Sequence, residues 1–509
     1  MGMELDWISY MTMEGLDLLT KLFVFTVGLG ALAIVILFVI DVAQTQDAVR
    51  RNYPVIGRFR HIFTTLGEFF RQYFFAMDRE EMPFNRAQRD WVYKSSAGSD
   101  NTVAFGSTHN LTEAGSPVFV NCPFPTLESD GAPTPRVVVG EYTPNPYEFA
   151  SLINISGMSY GAISDPAVRA LSKGAGMAGC WLNTGEGGLA PQHLEGGADI
   201  VLQIGTAKYG VRTLDGRLDD GKLREVGAIP QVKMIELKMS QGAKPGKGGL
   251  LPGVKVTPEI AKIRGIPAYQ DSVSPNRHPE IDNVQQMLDV IGHIRAVSGK
   301  PTGFKSVVGA YGWLEQMCEE VNLRGVESAP DFITIDSGDG GTGAAPMALM
   351  DHVGLPIREA LPLVADVLTR YGLRERIKLF ASGKLVTPSE VAWAYCAGAD
   401  SVVSARGFMF ALGCIQALKC NKNTCPTGIT THNPRLQRGL DPTDKAVRVM
   451  QYVEKMRKDV GIIAHSCGVP HARALKRYHC RMVQPSGRSV PLDELHPPVQ
   501  PGSAQTVAA

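Results

Sequence analysis

From Ala150 to Ser404 the sequence alternates short apolar runs with longer stretches of helical periodicity. This alternation is typical of strand–helix units that build a parallel sheet. Eight units suffice to close a barrel, and polar or glycine-rich residues follow nearly every run, as in the loops at the active face of a barrel. We therefore predict an α/β fold of the (β/α)8 TIM-barrel type. The predicted strands are 151–156, 179–184, 200–205, 233–239, 302–308, 331–336, 377–381 and 400–404.

Residues 22–40 contain no charged side chain. As a helix they would span roughly 28 Å, close to the thickness of the hydrocarbon core of a bilayer. Residues 1–20 carry four acids and no Lys or Arg, whereas four arginines lie between residues 50 and 60. The positive-inside rule then predicts a single-pass membrane protein with the bulk of the chain in the cytoplasm. A cleaved signal peptide would have a basic start and a shorter apolar region, and a buried core helix is the remaining alternative.

An amphipathic helix is predicted directly behind this span. Its apolar stripe consists of Ile62, Leu66, Phe69, Phe70, Tyr73 and Phe74. This helix could lie in the headgroup region of the membrane or pack on the wall of the barrel, and both alternatives stay open. The predicted divisions are a transmembrane anchor (1–45), a juxtamembrane helix and cap (46–148), the barrel with its cysteine loop (149–435), and C-terminal helices with a mobile tail (436–509).

Charge and cysteine content exclude some classes of protein. A net charge of +1 gives no basis for bulk electrostatic binding to nucleic acid. Six of the nine cysteines show no regular spacing. Free thiols in a reducing compartment are therefore expected.

Several predicted strands end in residues suited to binding a phosphate or an anionic ring. Ser382-Gly383 and Arg406-Gly407 follow the last two strands, where a barrel usually holds a cofactor phosphate. A glycine-rich loop, 337–343, follows the sixth strand, although an ordinary tight turn is the alternative there. Lys305 lies on the fifth strand, where burial is costly unless the ammonium meets a negative group. A lysine that reaches solvent is the alternative.

Cys414, Cys420 and Cys425 form a closely spaced trio directly behind the eighth unit. Zinc sites favour pairs separated by two to four residues and a fourth ligand. Three thiols on a short loop suit an iron–sulfur cluster better. The alternative of three core cysteines fits poorly, because Cys420 and Cys425 belong to the polar run CNKNTCPTG.

The segment 413–432, GCIQALKCNKNTCPTGITTH, resembles the cluster loop of the glutamate synthases, whose FMN-binding barrel ends in the same cysteine spacing and the same NTCP. The loop GGTGAAP at 340–346 is similar to GGTGASP of that family, and the similarity extends over about residues 150–435. The resemblance implies bound FMN and a [3Fe-4S] cluster with one cysteine per iron. It also implies reductive amination of 2-oxoglutarate to glutamate by reduced FMN.

The resemblance assigns roles to individual residues. Gln241, Lys244 and Arg264 correspond to residues that hold 2-oxoglutarate, and Glu186 to a glutamate beside the flavin that could handle protons or ammonium. Without the resemblance, these side chains would be read as solvated loop cations and an exposed turn acid. The residues implied in flavin binding are Ser156, Met158, Ser159, Lys305, Gly340, Gly341, Thr342, Ser382, Gly383, Arg406 and Gly407.

The sequence departs from the family in two respects. Gly246-Lys247-Gly248-Gly249 stands where the family usually has GEGG. The first cysteine is Cys122, so the N-terminal cysteine nucleophile of a glutaminase domain is not expected, and no strand precedes a GxGxxG pyridine-nucleotide motif. The expected amine is thus ammonia or another amine, from solution or a separate glutaminase subunit, and the expected electron donor is ferredoxin or a separate reductase.

Two further functions stay open at this point. One is an N-alkylglutamate synthase subunit that uses methylamine. The other is a flavin and iron–sulfur electron-relay subunit of a membrane complex. The joint presence of Glu186, Gln241, Lys244 and Arg264 argues against the relay.

Overall fold

The computed structural model describes residues 2–44 and 46–504, and the chain forms two compact units, Met1–Ala87 and Gln88–Ala509. The helices of the first unit are α1 (Gly2–Ala43), α2 (Ala48–Asn52) and α3 (Gly57–Phe70), which continues into a π-helix (Arg71–Phe75). Within α1, the segment Tyr10–Ala43 is long and apolar enough to cross a membrane, and none of its most apolar part is buried.

A buried carboxylate closes the turn behind α1. Asp41 is fully buried, and its oxygens accept hydrogen bonds from Arg50 (2.7 Å), Arg58 (2.8 Å) and the backbone N–H of Val55 (3.0 Å). Charge-assisted hydrogen bonds from planar guanidinium groups restrict orientation as well as distance. We call this cluster the Asp41 turn. It fixes the chain that leads from α1 into α3.

The second unit is built around a closed barrel. The strands of the chain are β1 (Pro117–Phe119), β2 (Val137–Val139), β3 (Tyr147–Phe149), β4 (Ile153–Ile155), β5 (Leu182–Asn183), β6 (Ile200–Ile204), β7 (Val232–Lys238), β8 (Leu250–Leu251), β9 (Ser272–Val273), β10 (Thr302–Val307), β11 (Phe332–Asp336), β12 (Lys378–Ser382), β13 (Ser401–Ser404), β14 (Cys480–Val483) and β15 (Ser489–Pro491). Eight of them close in the order β4-β5-β6-β7-β10-β11-β12-β13, and every neighbouring pair is parallel. The prediction of an eight-stranded barrel is confirmed.

Helices alternate with the barrel strands and surround them. The remaining α-helices are α4 (Arg86–Ser96), α5 (Asp165–Ala178), α6 (Pro191–Leu194), α7 (Asp220–Gly227), α8 (Pro258–Arg264), α9 (Val284–Ser298), α10 (Gly312–Arg324), α11 (Met347–Met350), α12 (Ile357–Arg370), α13 (Pro388–Ala397), α14 (Arg406–Ala411), α15 (Pro434–Gln437), α16 (Pro442–Ser466) and α17 (Leu492–Leu495). The long helix α16 packs against α5 and α13.

The N-terminal end of the barrel is closed by the hairpin β2–β3. Tyr147 and Phe149 of this hairpin join one buried apolar cluster with Trp181, Phe332 and Phe380 of the barrel. The rings of Phe149 and Trp181 meet edge to face at 4.6 Å, and those of Phe332 and Phe380 stack at 5.0 Å. Because aromatic packing fills this end, the opposite end, formed by the C-terminal ends of the strands, is the face left for a ligand.

The polar C-terminal region contains more regular structure than a mobile tail would. Strand β15 pairs antiparallel with β14, which also pairs with β1, and Leu492 at the start of α17 is buried. The reason is that Val490 and Leu492 supply apolar contacts within a stretch that is otherwise polar. Residues 505–509 of the predicted tail lie outside the described residues.

The fold yields a prediction about the buried ion pairs at the start of β11. Asp331 is fully buried and accepts hydrogen bonds from Arg376 (2.8 Å), Arg295 (2.9 Å) and the N–H of Thr302 (2.8 Å). Asp331→Ala should lower the free energy of unfolding by about 3–5 kcal/mol, because it leaves two guanidinium groups without their carboxylate. Chemical denaturation would measure the loss.

Asp289 offers a matched control, because its carboxylate is exposed and pairs with Arg324 at 2.6 Å. Asp289→Ala should cost about 0–1 kcal/mol, as exposed ion pairs usually do. Equal losses in the two variants would show that the Asp331 cluster does not hold the barrel together.

Candidate active site

A cavity of about 320 Å³ opens at the C-terminal face of the barrel. A second cavity of about 60 Å³ adjoins it, and the two share Gln203, Lys238, Gln241, Gly341 and Arg406 as lining residues. The two cavities therefore form one site over the strand ends. Here we call them the large and the small cavity.

The predicted flavin-binding residues divide between these two cavities. Those that line the small cavity are Ser156, Lys305, Gly341, Ser382, Gly383 and Arg406. Those that line the large cavity are Met158, Ser159, Gly341, Thr342 and Arg406. Gly340 and Gly407 line neither cavity. Gly340 turns its N–H back to the carbonyl of Ser337, and Gly407 packs against the hydroxyl of Tyr452.

Two glycines keep the small cavity open. Gly383 has a φ of +141°, and a Cβ on it would lie 2.1 Å from the Cβ of Ser337. A Cβ on Gly341 would lie 2.8 Å from Nε of Arg406, whose Nη2 donates to the carbonyl of Thr342 at 3.1 Å. Only glycine fits at 383, and a side chain at 341 would displace the Arg406 guanidinium from the cavity wall. A cradle of this kind, with a guanidinium beside it, fits a phosphate.

Asp336 connects the loops around the small cavity. Its carboxylate accepts hydrogen bonds from the N–H of Gly242 (2.8 Å) and the hydroxyl of Ser382 (2.6 Å), and it lies 3.4 Å from the ammonium of Lys305. These partners belong to three other strand ends. One buried carboxylate thus positions both the loop behind β7 and the lysine on β10.

All four residues predicted for substrate chemistry line the large cavity: Glu186, Gln241, Lys244 and Arg264. Glu186 forms an ion pair with Lys238 (2.9 Å), and Lys238 also donates to Gln241. Arg264 lies over the ring of Tyr209, with 5.0 Å between the guanidinium carbon and the ring centre. The structure therefore brings together residues that are up to 78 positions apart, from 186 to 264.

Two of these side chains are buried cations without a carboxylate partner. Lys244 and Arg264 are 9% and 4% exposed, and in residues 2–44 and 46–504 neither has an acid within ion-pair distance. Besides the Tyr209 ring, Arg264 contacts Ser272 (3.2 Å) and the carbonyl of Tyr160 (3.3 Å), and its Nε has no hydrogen-bond partner among the described residues. Burying unpaired charge is costly. Two such cations lining one cavity are suited to binding an anion.

The charges at this site shift each other's titration. Burial raises the pKa of Glu186, but Lys238, Lys244 and Arg264 outweigh that effect and hold the pKa below its ordinary value. Burial, reinforced by Lys238, lowers the pKa of Lys244. Glu186 is therefore ionised at neutral pH and is the acid among the described residues that line the large cavity.

Sequence reasoning missed several residues of the site. Lys238, Asp336 and Gln203 each line a cavity, and Gln203 is held by a 2.6 Å hydrogen bond to the buried Glu236. All of them are polar residues within or at the end of an apolar strand, the same signal that singled out Lys305. Tyr209 and Lys255 lie in loops, where no comparable signal exists.

The three cysteines of the trio line a third cavity. Apolar side chains including Phe410, Ile415 and Leu418 complete its wall. All nine cysteines are free thiols. In the described part of the chain, no three His, Cys, Asp or Glu side chains converge on a single metal-ion position. The predicted metal site thus remains a prediction, with its sulfurs gathered around one space.

Lys255 connects the cysteine loop with the large cavity. It ends a 3-10 helix (Gly253–Lys255), is 2% exposed, and lines the large cavity. Its ammonium donates to the carbonyl oxygens of Cys420 (2.9 Å) and Thr430 (2.7 Å). Because Arg264 lies at the end of the following helix, α8, one short segment contacts both the proposed anion site and the cysteine loop.

Comparison with known proteins identifies the family. The model of the conserved region in glutamate synthase matches residues 117–470. The glutamate synthase large subunit-like protein YerD of Bacillus subtilis is 38% identical over 94% of this chain and 98% of its own length. The chain belongs to the glutamate synthase family.

Other glutamate synthases match a smaller part of the chain. The archaeal glutamate synthase [NADPH] of Methanocaldococcus jannaschii is 34% identical over 64% of this chain and 60% of its own length. The archaeal-type enzyme of Thermotoga maritima is 31% identical, with 64% and 61% covered. This member of the glutamate synthase family thus matches about three fifths of each of these two relatives.

Among solved structures, the flavin-binding domain of baker's yeast flavocytochrome b2 aligns with a TM-score of 0.45 at 15% identity, covering 83% of this chain and 88% of that one. A mandelate oxidase aligns with a TM-score of 0.43 at 14% identity, covering 78% and 98%.

The contacts of Lys255 generate a prediction for this family member. Lys255→Met should loosen the cysteine loop, because each charged hydrogen bond to a carbonyl contributes about 1.5–3 kcal/mol. Amide hydrogen exchange over residues 420–430 should then become faster by about tenfold or more. Lys247→Met is the control, since Lys247 contacts neither carbonyl, and it should leave that exchange unchanged. Unchanged exchange in Lys255→Met as well would show that Lys255 does not hold the loop.

Proposed function

We propose that this chain is an oxidoreductase of the glutamate synthase type that aminates 2-oxoglutarate with the help of FMN. The observation that carries this proposal is the pair of buried, unpaired cations, Lys244 and Arg264, in a cavity at the C-terminal face of the barrel. A dicarboxylate would supply the negative charge that the described residues do not. Membership of the family supports the same substrate class.

FMN would occupy the small cavity and the adjoining wall of the large one. Gly383, Gly341 and Arg406 fit its phosphate, and Lys305 fits the electron-rich edge of its ring. When bound, the flavin would supply the hydride for reduction of the aminated keto acid. Lys305 would favour the reduced, anionic form, and Asp336 would orient Lys305 for that task.

The residues of the large cavity would bind and orient the substrate. Arg264 and Lys244 would each hold a carboxylate, and the ring of Tyr209 would keep the Arg264 guanidinium in place. Glu186, ionised and paired with Lys238, would accept a proton from the incoming ammonium or amine. Gln241, held by Lys238, would position the remaining polar group of the keto acid.

Cys414, Cys420 and Cys425 would hold a [3Fe-4S] cluster. In such a cluster each thiolate would bind a different iron, and Cys414, Cys420 and Cys425 all line one cavity. The cluster would supply single electrons. Lys255 would hold the loop that carries two of its ligands.

The amine and the electrons would come from outside the barrel. Ammonia, another amine such as methylamine, or a separate glutaminase subunit would supply nitrogen, and ferredoxin or a separate reductase would supply electrons. Helix α1 would anchor the protein in a membrane, with the arginines behind it on the cytoplasmic side.

The proposal predicts a specific defect in one variant. Arg264→Ala should weaken binding of 2-oxoglutarate by roughly ten- to a hundredfold, because a charge-assisted hydrogen bond contributes about 1.5–3 kcal/mol. FMN content should not change, since Arg264 is not part of the phosphate cradle. Titration of the flavin spectrum with 2-oxoglutarate would measure the affinity.

Arg277→Ala is the matched control, because the Arg277 side chain is largely exposed and pairs with Asp282 at the surface. It should bind 2-oxoglutarate like the wild type. The wild type itself decides the proposal. If 2-oxoglutarate neither perturbs its flavin spectrum nor reoxidises its reduced form with ammonia or methylamine present, the synthase function fails and the electron relay takes its place.

A second variant tests the cluster. Cys420→Ser should lose iron and block electron delivery to the flavin while most of the FMN stays bound, because the phosphate cradle lies on other strand ends. Iron analysis and electron paramagnetic resonance after anaerobic purification would measure this. Cys122→Ser, outside the cysteine loop, should retain full iron content. Zinc without iron in the wild type would remove the cluster from the proposal.

A further inference from the structure

We propose that α3 and the π-helix behind it, residues 57–75, lie in the headgroup region of an anionic membrane surface as a second anchor. This amphipathic segment goes beyond the proposed chemistry, but it rests on the proposal that α1 crosses a membrane. It is called the interfacial segment below.

The interfacial segment presents a continuous apolar face. With about 100° between successive residues of α3, its apolar side chains cover an arc of roughly 100°, the width typical of one buried helix face. These are Phe59, Ile62, Phe63, Leu66 and Phe70, which are between 41% and 66% exposed, and Tyr73, Phe74 and Phe75 of the π-helix are between 45% and 74% exposed. Phe69 extends the face, and its ring lies 4.8 Å from that of Tyr73. A soluble surface rarely leaves so many adjoining aromatic side chains exposed.

The charge of the segment favours an anionic surface. Residues 57–75 contain three arginines and one acid, Glu68. Arg58 pairs with the buried Asp41, whereas Arg60 and Arg71 lie outside the apolar arc, on the sides that would face headgroups. Basic side chains at the polar face of an amphipathic helix, with aromatic side chains opposite, are the composition that binds at a membrane interface.

The Asp41 turn places the segment beside the proposed membrane span. Asp41 belongs to the last turn of α1, and its partners Arg50, Val55 and Arg58 lead directly into α3. Arg58 is itself the second residue of α3. Hydrogen bonds to one carboxylate therefore tie the end of the span to the start of the segment. If the membrane span ends at Ala43, the interfacial segment would lie at the depth where α1 leaves the hydrocarbon core of the bilayer.

The full-length protein in lipid nanodiscs allows a direct measurement of depth. A 4-trifluoromethylphenylalanine would replace Phe63 on the apolar face or, as matched control, its neighbour Thr64 on the polar face. The fluorine relaxation would then be measured with a spin-labelled lipid and with a soluble nickel chelate. We expect the probe at position 63 to respond to the lipid label and the probe at position 64 to respond to the chelate.

Two results would overturn the proposal. Equal access of the chelate to both positions would show that the segment lies in water. Protection of position 63 from both reagents would show that it packs on protein, either the barrel or a partner. Extraction of the membranes with alkaline carbonate is measured in parallel. Release of the full-length protein would mean that α1 does not span the membrane. That result would contradict the proposed membrane anchor as a whole, and not only the position of the interfacial segment.

The electrostatic part of the proposal has its own test. Adding phosphatidylglycerol to phosphatidylcholine nanodiscs should increase the contact of the probe at position 63 with lipid. The reference is the same measurement in nanodiscs of phosphatidylcholine alone. Each arginine near the surface should contribute about fivefold to the membrane-bound population. Arg60→Gln combined with Arg71→Gln, which spares the Asp41 turn, should remove most of this dependence. An unchanged response to anionic lipid would contradict the charge argument.

Discussion

The carboxylate of Asp336 is the interaction on which the candidate site depends. It ends β11 and joins the loop behind β7, the lysine on β10 and the hydroxyl at the end of β12. Four of the eight strand ends are thereby coupled through one buried group. A carboxylate can do this because it accepts several hydrogen bonds at once, whereas a neutral side chain would leave Lys305 as an uncompensated buried charge.

The electrostatics of the site follow from where the barrel is open. Aromatic packing beneath the hairpin β2–β3 fills the N-terminal end, so the polar residues of the strands meet at the other end. Lys238, Lys244, Lys255 and Arg264 gather there, with Glu186 as their acid in the large cavity. Cations therefore outnumber acids along the large cavity, and the proposed function places the bound anion beside Lys244 and Arg264.

Lys255 and Arg264 belong to one short segment of the chain. The segment from β8 to α8 carries Lys255 against the cysteine loop and Arg264 against the large cavity, nine residues apart in sequence. The same short segment thus contributes one side chain to the large cavity and one to the support of the cysteine loop.

Alternation of apolar runs and helical stretches was enough to determine the barrel, because each strand is buried on both sides and its composition reflects that environment directly. The roles of Glu186, Lys244 and Arg264 required resemblance to a family, since a charged residue in a loop has the same local sequence signal whether it is solvated or buried. The tail after residue 485 was misleading for a related reason. Strand β15 pairs with its neighbour β14, and β14 in turn pairs with β1, which is distant in sequence.

The sequence by itself determined the elements, the apolar span and the cysteine spacing, all of which depend on neighbours a few positions away. Only the tertiary structure decided that Asp336 joins four strand ends, that Lys255 holds the carbonyl of Cys420, and that Nε of Arg264 is buried without a hydrogen-bond partner among the described residues. The physical reason is that pairing of buried charges depends on distances between loops that come together only when the barrel closes. Local sequence carries no information about those distances.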